Sequence, residues 1–141
     1  PDNSDDEIIA SAQMALRKGI DGFVATNTTL HRPVPRNATS RGVFAESGGL
    51  SGRPLQERSN EVIRLLYEEA QSTVPIVGVG GIDSVDTAWQ AVSSGASLLQ
   101  LYSALVFNGP SVVSCIVKGL RKRVKENGFL GIEEAVGLDI T

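Results

Sequence analysis

Apolar side chains fall in short runs along the chain, separated by polar and helix-periodic stretches. Ser4 can cap a helix whose first turn carries Asp5, Asp6 and Glu7 near the positive end of the helix dipole. Gly19 can end it, so the pattern predicts a helix over about Asp5 to Lys18. Gly22-Phe23-Val24-Ala25-Thr26 then reads as a short strand, apolar enough to be buried on both faces as parallel strands are. From Asn27 to Arg53 the chain holds Pro33, Pro35, Gly42, Gly48, Gly49 and Gly52 with no sustained period. It reads as a long loop, a kind of segment that in compact domains is usually functional or disordered.

A second helix is predicted from about Pro54 to Glu69, with Pro54 in its first turn and Val62, Ile63, Leu65, Leu66 and Tyr67 on its apolar side. Pro75-Ile76-Val77-Gly78-Val79 is the next buried strand. Gly80-Gly81-Ile82-Asp83-Ser84 turns into a helix over about Val85 to Ser93, closed by Gly95. Leu98 to Tyr102 reads as the third strand. Beyond Gly109-Pro110 a last helix runs to about Glu126, with Val113, Ile116, Val117, Leu120 and Val124 on one side. Its charged residues Lys118, Arg121, Lys122, Arg123 and Lys125 read as a solvated face near a helix C-terminus.

The resulting order, αβ-αβ-αβ-α, predicts an α/β fold with a parallel sheet and right-handed crossovers. Three parallel strands do not close a barrel, and an eight-stranded barrel takes about 250 residues. The 141 residues are therefore expected to be one C-terminal part, residues 1–141, of a single (β/α)8 TIM-barrel domain. The rest is expected from a missing N-terminal portion or a partner chain.

Composition narrows the function classes. With 13 basic against 16 acidic side chains, a net charge of −3, the chain lacks the concentrated basic face that nucleic-acid binding needs. The single cysteine, Cys115, excludes an internal disulfide and a clustered zinc site; it is expected to sit in the core. The most apolar stretch, Ser97 to Phe107, is interrupted by Gln100, Tyr102 and Ser103 and is far shorter than the roughly 20 residues of a membrane span. The first residues show neither the basic start nor the apolar run of a signal peptide.

Ligand sites in parallel β/α folds lie at the C-terminal ends of the strands, which here selects Thr26-Asn27-Thr28-Thr29, Gly78-Val79-Gly80-Gly81 and Tyr102-Ser103. Gly80-Gly81 before a helix, with the Ser103 hydroxyl one strand later, fits a phosphate cradle; the paired glycines also fit a bare tight turn. A dinucleotide fingerprint fails, because Asp83 stands where its third glycine belongs and would face the pyrophosphate. Asn27 and Thr28 suit the amide-like edge of a small heterocycle, and equally ordinary turn bonding. His31 has no triad partner and reads as a surface residue, and no metal site is expected.

Taken in order, Thr26-Asn27-Thr28-Thr29, Glu46-Ser47-Gly48-Gly49-Leu50-Ser51-Gly52-Arg53-Pro54, Val77-Gly78-Val79-Gly80-Gly81-Ile82 and Leu101-Tyr102-Ser103-Ala104 resemble the class 2 dihydroorotate dehydrogenase family over nearly the whole chain. The resemblance implies an FMN-containing (β/α)8 barrel that oxidises dihydroorotate to orotate in pyrimidine synthesis and passes electrons to a quinone. It implies FMN contacts at Thr26, Gly52, Gly81, Tyr102 and Ser103, the last three around the phosphate, and substrate contacts at Asn27 and Thr28. Some relatives have threonine at the position of Ser103.

The family's flavin-side lysine, its general-base serine, further asparagines of the substrate site and the N-terminal helices that meet membrane and quinone are all expected upstream. No catalytic residue is therefore assigned within this chain, and the segment alone is expected to be inactive. Location at the mitochondrial inner membrane, or at the periphery of a bacterial cytoplasmic membrane, follows from the resemblance alone. Two alternatives stand beside it. One is an FMN barrel acting on another substrate, which the Thr-Asn-Thr-Thr and Gly-Gly-Leu-Ser-Gly pairing disfavours; the other is a non-catalytic FMN- or phosphate-binding fragment.

Overall fold

The computed structural model describes residues 1–34, 42 and 44–140. Chain order is helix α1 (Asp5–Arg17), strand β1 (Phe23–Ala25), a 3-10 turn (Arg53–Leu55), helix α2 (Gln56–Ala70) and strand β2 (Ile76–Val79). Helix α3 (Val85–Ser93), strand β3 (Leu98–Gln100), a short helix α4 (Ser103–Asn108), helix α5 (Ser111–Glu126) and a 3-10 turn (Ile132–Ala135) follow. The strands form one parallel sheet in the sequential order β1-β2-β3, with Val24 opposite Val77 and Val77 opposite Leu98. Sequential order without reversal is how barrel staves are laid, whereas doubly wound sheets reverse at a switch point.

Two helices begin where local chemistry says they should. At α1 the Ser4 side chain accepts from the Glu7 N–H while Glu7 accepts from the Ser4 N–H, a complete capping box, and Ser84 with Thr87 builds the same arrangement at α3. Pro54 sits in the 3-10 turn rather than in the first turn of α2, which starts two residues later than the apolar pattern suggests. Two short elements were not expected: α4, which begins at Ser103 immediately after the third strand, and the Ile132–Ala135 turn.

Among the described residues, helices pack on one face of the sheet. Ile63 of α2 and Ala91 of α3, with Ala96, meet β2 at Gly78, where an added Cβ would lie 2.9 Å from the Ala96 Cβ and 3.0 Å from Ile63 Cδ1. Hydrogen is thus the only side chain this contact accommodates without movement. The core is Ile63, Leu66, Ile76, Ile82, Ala88, Ala91 and Ile116 with their neighbours. On the opposite face Val24 is 67 % and Leu98 59 % exposed. That is the side on which the remaining staves of the expected barrel would lie, so burial on both faces belongs to the complete domain.

Helix α5 also differs from its expected face. It buries Val112, Ile116 and Val124, leaving Val113 and Val117 partly exposed and Cys115 exposed rather than in the core. Ile116, Leu120 and Val124 of the expected face do meet the core, and the helix approaches α3 closely at Gly119, where a Cβ would lie 2.2 Å from Val85 Cγ2. The Arg123 guanidinium donates to Asp86 Oδ1 at 2.7 Å and lies 5.4 Å from the Trp89 ring centroid. One residue of the expected solvated basic face is thus an inter-helix contact.

The start of the chain is tied to the loop after β1. Asp2 accepts from the Thr29 hydroxyl and, at 2.7 Å, from the Leu30 N–H, with His31 Nδ1 3.4 Å from Asp2 Oδ1. Arg32 donates to the carbonyls of Thr29 and Gly48, and Thr29 pairs with Leu50, so the two ends of the long loop are clasped at their base. Pro35 and the middle of that loop lie outside the described residues.

Gly78→Ala is expected to destabilise the full-length protein by about 1–3 kcal/mol through overpacking against Ala96 and Ile63, read as a fall in denaturation midpoint. An unchanged midpoint would show that the helices yield freely. A second outcome concerns pH. The Leu30 N–H and the Thr29 hydroxyl hold the Asp2 carboxyl below its ordinary value of 3.8. A carboxyl depressed by folding holds its segment above that value and loses its grip as pH falls below it. The exchange protection of the Leu30 amide, corrected for intrinsic rate and compared with amides of α2, should drop below about pH 3.8. Asp2→Asn should show weaker protection at neutral pH and no such step; an identical profile would sink the idea.

Candidate active site at the carboxyl ends of the strands

Because the three strands run parallel in register, their carboxyl ends open on one edge, where a cleft of about 1100 Å³ lies. Thr26, Asn27, Thr28, Gly52, Gly81, Tyr102 and Ser103 all line it. The structure therefore brings together residues from all three strand ends, from segments more than 70 positions apart in sequence, while Thr29 and Gly78 of the same motifs face other parts of the fold.

Thr26 follows β1 directly, after a cis Ala25–Thr26 peptide, and its N–H donates to the Val79 carbonyl at 2.6 Å, extending the β1-β2 ladder by one residue. Its hydroxyl oxygen is buried with no hydrogen-bond partner among the described residues. A buried hydroxyl left unpaired costs about 1–3 kcal/mol, so a polar ligand atom here would recover what folding alone gives up. Asn27 uses its side-chain oxygen locally, accepting from the Thr28 N–H at 2.8 Å, and its amide nitrogen has no partner among the described residues. Thr28 in turn explains Gly49, where a Cβ would fall 1.8 Å from the Thr28 hydroxyl oxygen.

Gly81 sits at φ +71°, and a Cβ there would lie 2.8 Å from the backbone N of Gln56 at the start of α2. Glycine is thus demanded by the packing of the turn, independently of any ligand. Gly52, at φ 87° and ψ −156°, occupies backbone territory essentially restricted to glycine. An added Cβ there would stand 3.6 Å from the Ser103 hydroxyl, ordinary contact. The N–H groups of Gly80, Gly81, Tyr102 and Ser103 have no hydrogen-bond acceptor among the described residues. Unpaired amide donors at two neighbouring turns, one leading into α3, form a neutral, donor-rich edge suited to an anion.

Several contributors were missed at the level of sequence. Ser51 and Ser103 hydroxyls are 2.8 Å apart and join the long loop to the end of β3. Ser59 of α2, fully buried, donates to the Val79 carbonyl at 2.8 Å and so holds the strand end beneath Gly80. Its signal was available: Ser59 lies on the stripe Leu55, Ser59, Val62, Ile63, Leu66, a polar residue on a buried face. Arg53 and Asp83 pair across the cleft rim, and the Asp83 carboxylate raises the Arg53 guanidinium above its ordinary value by hydrogen bonding and charge. His31 is exposed, and no cluster of three or more His, Cys, Asp or Glu suited to a metal occurs among the described residues. Among the described residues, no helix is long and apolar enough to cross a membrane.

Comparison with known proteins places this geometry. The family model for dihydroorotate dehydrogenase matches residues 1–124. Dihydroorotate dehydrogenase (quinone) of Trichodesmium erythraeum is 41 % identical, over 98 % of this chain and 38 % of its own length. The mitochondrial dihydroorotate dehydrogenase (quinone) of Mus musculus is 46 % identical, over 96 % of this chain and 33 % of its own length. The crystal structure of the Eimeria tenella enzyme in complex with ferulenol superposes with a TM-score of 0.89 at 34 % identity, covering 99 % of this chain and 36 % of that one. The chain thus spans little more than a third of these relatives, and its three staves correspond to part of their TIM barrel. From the match over residues 1–124 and the identity to these relatives, the chain belongs to the dihydroorotate dehydrogenase family.

Proposed function

We propose that this segment supplies the cofactor-phosphate and substrate contacts of an FMN-dependent dihydroorotate dehydrogenase that oxidises dihydroorotate to orotate with a quinone acceptor. The observation that carries the reading is the convergence of Thr26, Asn27, Thr28, Gly52, Gly81, Tyr102 and Ser103 on one cleft at the strand ends. The cleft fits a flavin mononucleotide on two grounds: the orphaned Thr26 hydroxyl offers a polar contact, and the unpaired amides around Gly81 and Ser103 offer donors for a phosphate.

When bound, the flavin supplies the redox chemistry by accepting a hydride. The chain's own residues bind and orient. The Gly80-Gly81 turn and the Tyr102-Ser103 end would hold the phosphate with backbone donors, Ser51 steadies the Ser103 hydroxyl, and Thr26 and Gly52 would contact the cofactor from the same cleft. Asn27 presents its free amide nitrogen, and Thr28 its hydroxyl, to the pyrimidine ring. In this reading the proton-abstracting serine, the flavin-side lysine and the quinone-binding helices come from the remainder of the barrel, as does any association with a mitochondrial or bacterial membrane.

The 141-residue segment by itself is expected to form no orotate with an artificial electron acceptor, and the full-length polypeptide to form it; robust turnover by the segment would overturn the assignment of roles. In the full-length protein, Asn27→Ala should leave flavin content after gel filtration unchanged while weakening orotate. Loss of one hydrogen bond and of a buried partner costs about 1–3 kcal/mol, so a roughly ten- to hundredfold loss is expected when orotate is titrated against the flavin spectrum. Because Asn27 also accepts from the Thr28 N–H, a thermal melt accompanies the titration. Unchanged orotate affinity with a lowered melting temperature would make Asn27 a loop brace.

A further inference from the structure

Among the described residues, Arg53 and Asp83 supply the only charged side chains lining the strand-end cleft. They stand next to its two special turns, Arg53 immediately after Gly52 and Asp83 two residues after Gly81. Arg53 Nε donates to Asp83 Oδ2, and neither side chain has another ion-pair or hydrogen-bond partner among the described residues. Their surroundings differ sharply, with Arg53 79 % and Asp83 17 % exposed. The acid is the half-enclosed member. Its backbone is anchored too, the Asp83 N–H donating to the Thr87 hydroxyl at 2.9 Å within the capping box of α3.

A lone carboxylate at this place would oppose an anion held by the amides of Gly80 and Gly81, and the neutral donors there have no charge of their own with which to outweigh it. Asp83 nevertheless suits the fold, since an acid just ahead of a helix is favoured by the dipole. The conflict between helix and ligand is resolved by the neighbour from the other turn. We propose that Arg53 is a charge-masking residue, neutralising Asp83 so that the cleft presents a phosphate-bearing ligand with backbone donors and no net negative charge. The inference rests on the reading of this edge as the phosphate end of the cofactor site. Arg53 acts through Asp83 and not by gripping the ligand, which sets it apart from an ordinary phosphate-binding arginine.

The two roles differ in the sign of a double substitution. In the full-length protein stripped of flavin, FMN and riboflavin are titrated by flavin fluorescence at low and high salt. Arg53→Gln should weaken FMN about three- to tenfold, the size of one uncompensated charge at a solvated rim, and leave riboflavin unchanged. The loss should shrink at high salt, where an exposed charge is screened. Asp83→Asn alone should tighten FMN, because Arg53 is then uncommitted. The double variant Arg53→Gln with Asp83→Asn should return to within about twofold of the parent.

A double variant as weak as Arg53→Gln alone would overturn the proposal in favour of direct contact. Equal loss of FMN and riboflavin would overturn it in favour of a bracing role. A parent that binds FMN no tighter than riboflavin would remove the phosphate reading itself and this inference with it, a result distinct from both. If Arg53→Gln does not fold, the double variant, which leaves no unpaired charge, decides: FMN within about twofold of the parent with unchanged riboflavin supports masking, and FMN clearly weaker than in the parent overturns it.

Discussion

Everything at the strand-end cleft depends on the parallel registration of three short strands about β2. The central strand is held from one side by α2 and α3, which approach closely because Gly78 has no side chain. Its own carbonyl at Val79 then receives two donors, the Thr26 N–H at 2.6 Å and the Ser59 hydroxyl at 2.8 Å. These bonds place the end of β1 and the Gly80-Gly81 turn at one level. Without that level edge, Thr26, Gly81 and Ser103 would be features of three unrelated loops. A single close contact between helix and sheet is thus the remote support of the chemistry at the rim.

The cleft combines apolar walls, among them Val24, Leu50 and Phe107, with neutral polar groups. Unpaired backbone amides, hydroxyls and the side-chain amides of Asn27, Gln100 and Asn108 line it, and its two opposite charges among the described residues cancel. Such a surface is suited to an anion that arrives with its own negative charge and must be held without a strong cationic clamp, since several oriented N–H dipoles distribute the interaction over many weak donors. The orphaned Thr26 hydroxyl belongs to the same economy: a donor that folding leaves unsatisfied is one that a ligand can satisfy. Long side chains are kept out by sterics as well, because Gly49 abuts Thr28 and Gly81 abuts Gln56.

The loop between β1 and α2 is held at its base by contacts that no local pattern announces. Asp2 reaches Thr29 and Leu30, Arg32 reaches Gly48, and Ser51 reaches Ser103. Each pairs a residue with one from a different segment. They hold Asn27 and Thr28 between two anchored points while leaving both exposed to the cleft. Arg58 adds to the clasp from α2, donating to the carbonyls of Pro1 and Asn3.

Reading the chain alone was enough to place the helices α1, α2, α3 and α5 within a few residues, the three strands, and the strand-end segments that converge on the cleft. The reason is that these signals are local: Ser4 and Ser84 cap within one turn, apolar runs mark strands, and glycines mark strand ends. Tertiary structure decided which face of α5 is buried, that Cys115 is exposed in this segment, and that Arg53 answers Asp83. Val112 and Val113 carry nearly the same local signal, yet the first is buried and the second exposed, according to what the neighbouring elements present to them. Such choices follow from the rotation and register of one element against another, and only the packed molecule specifies those.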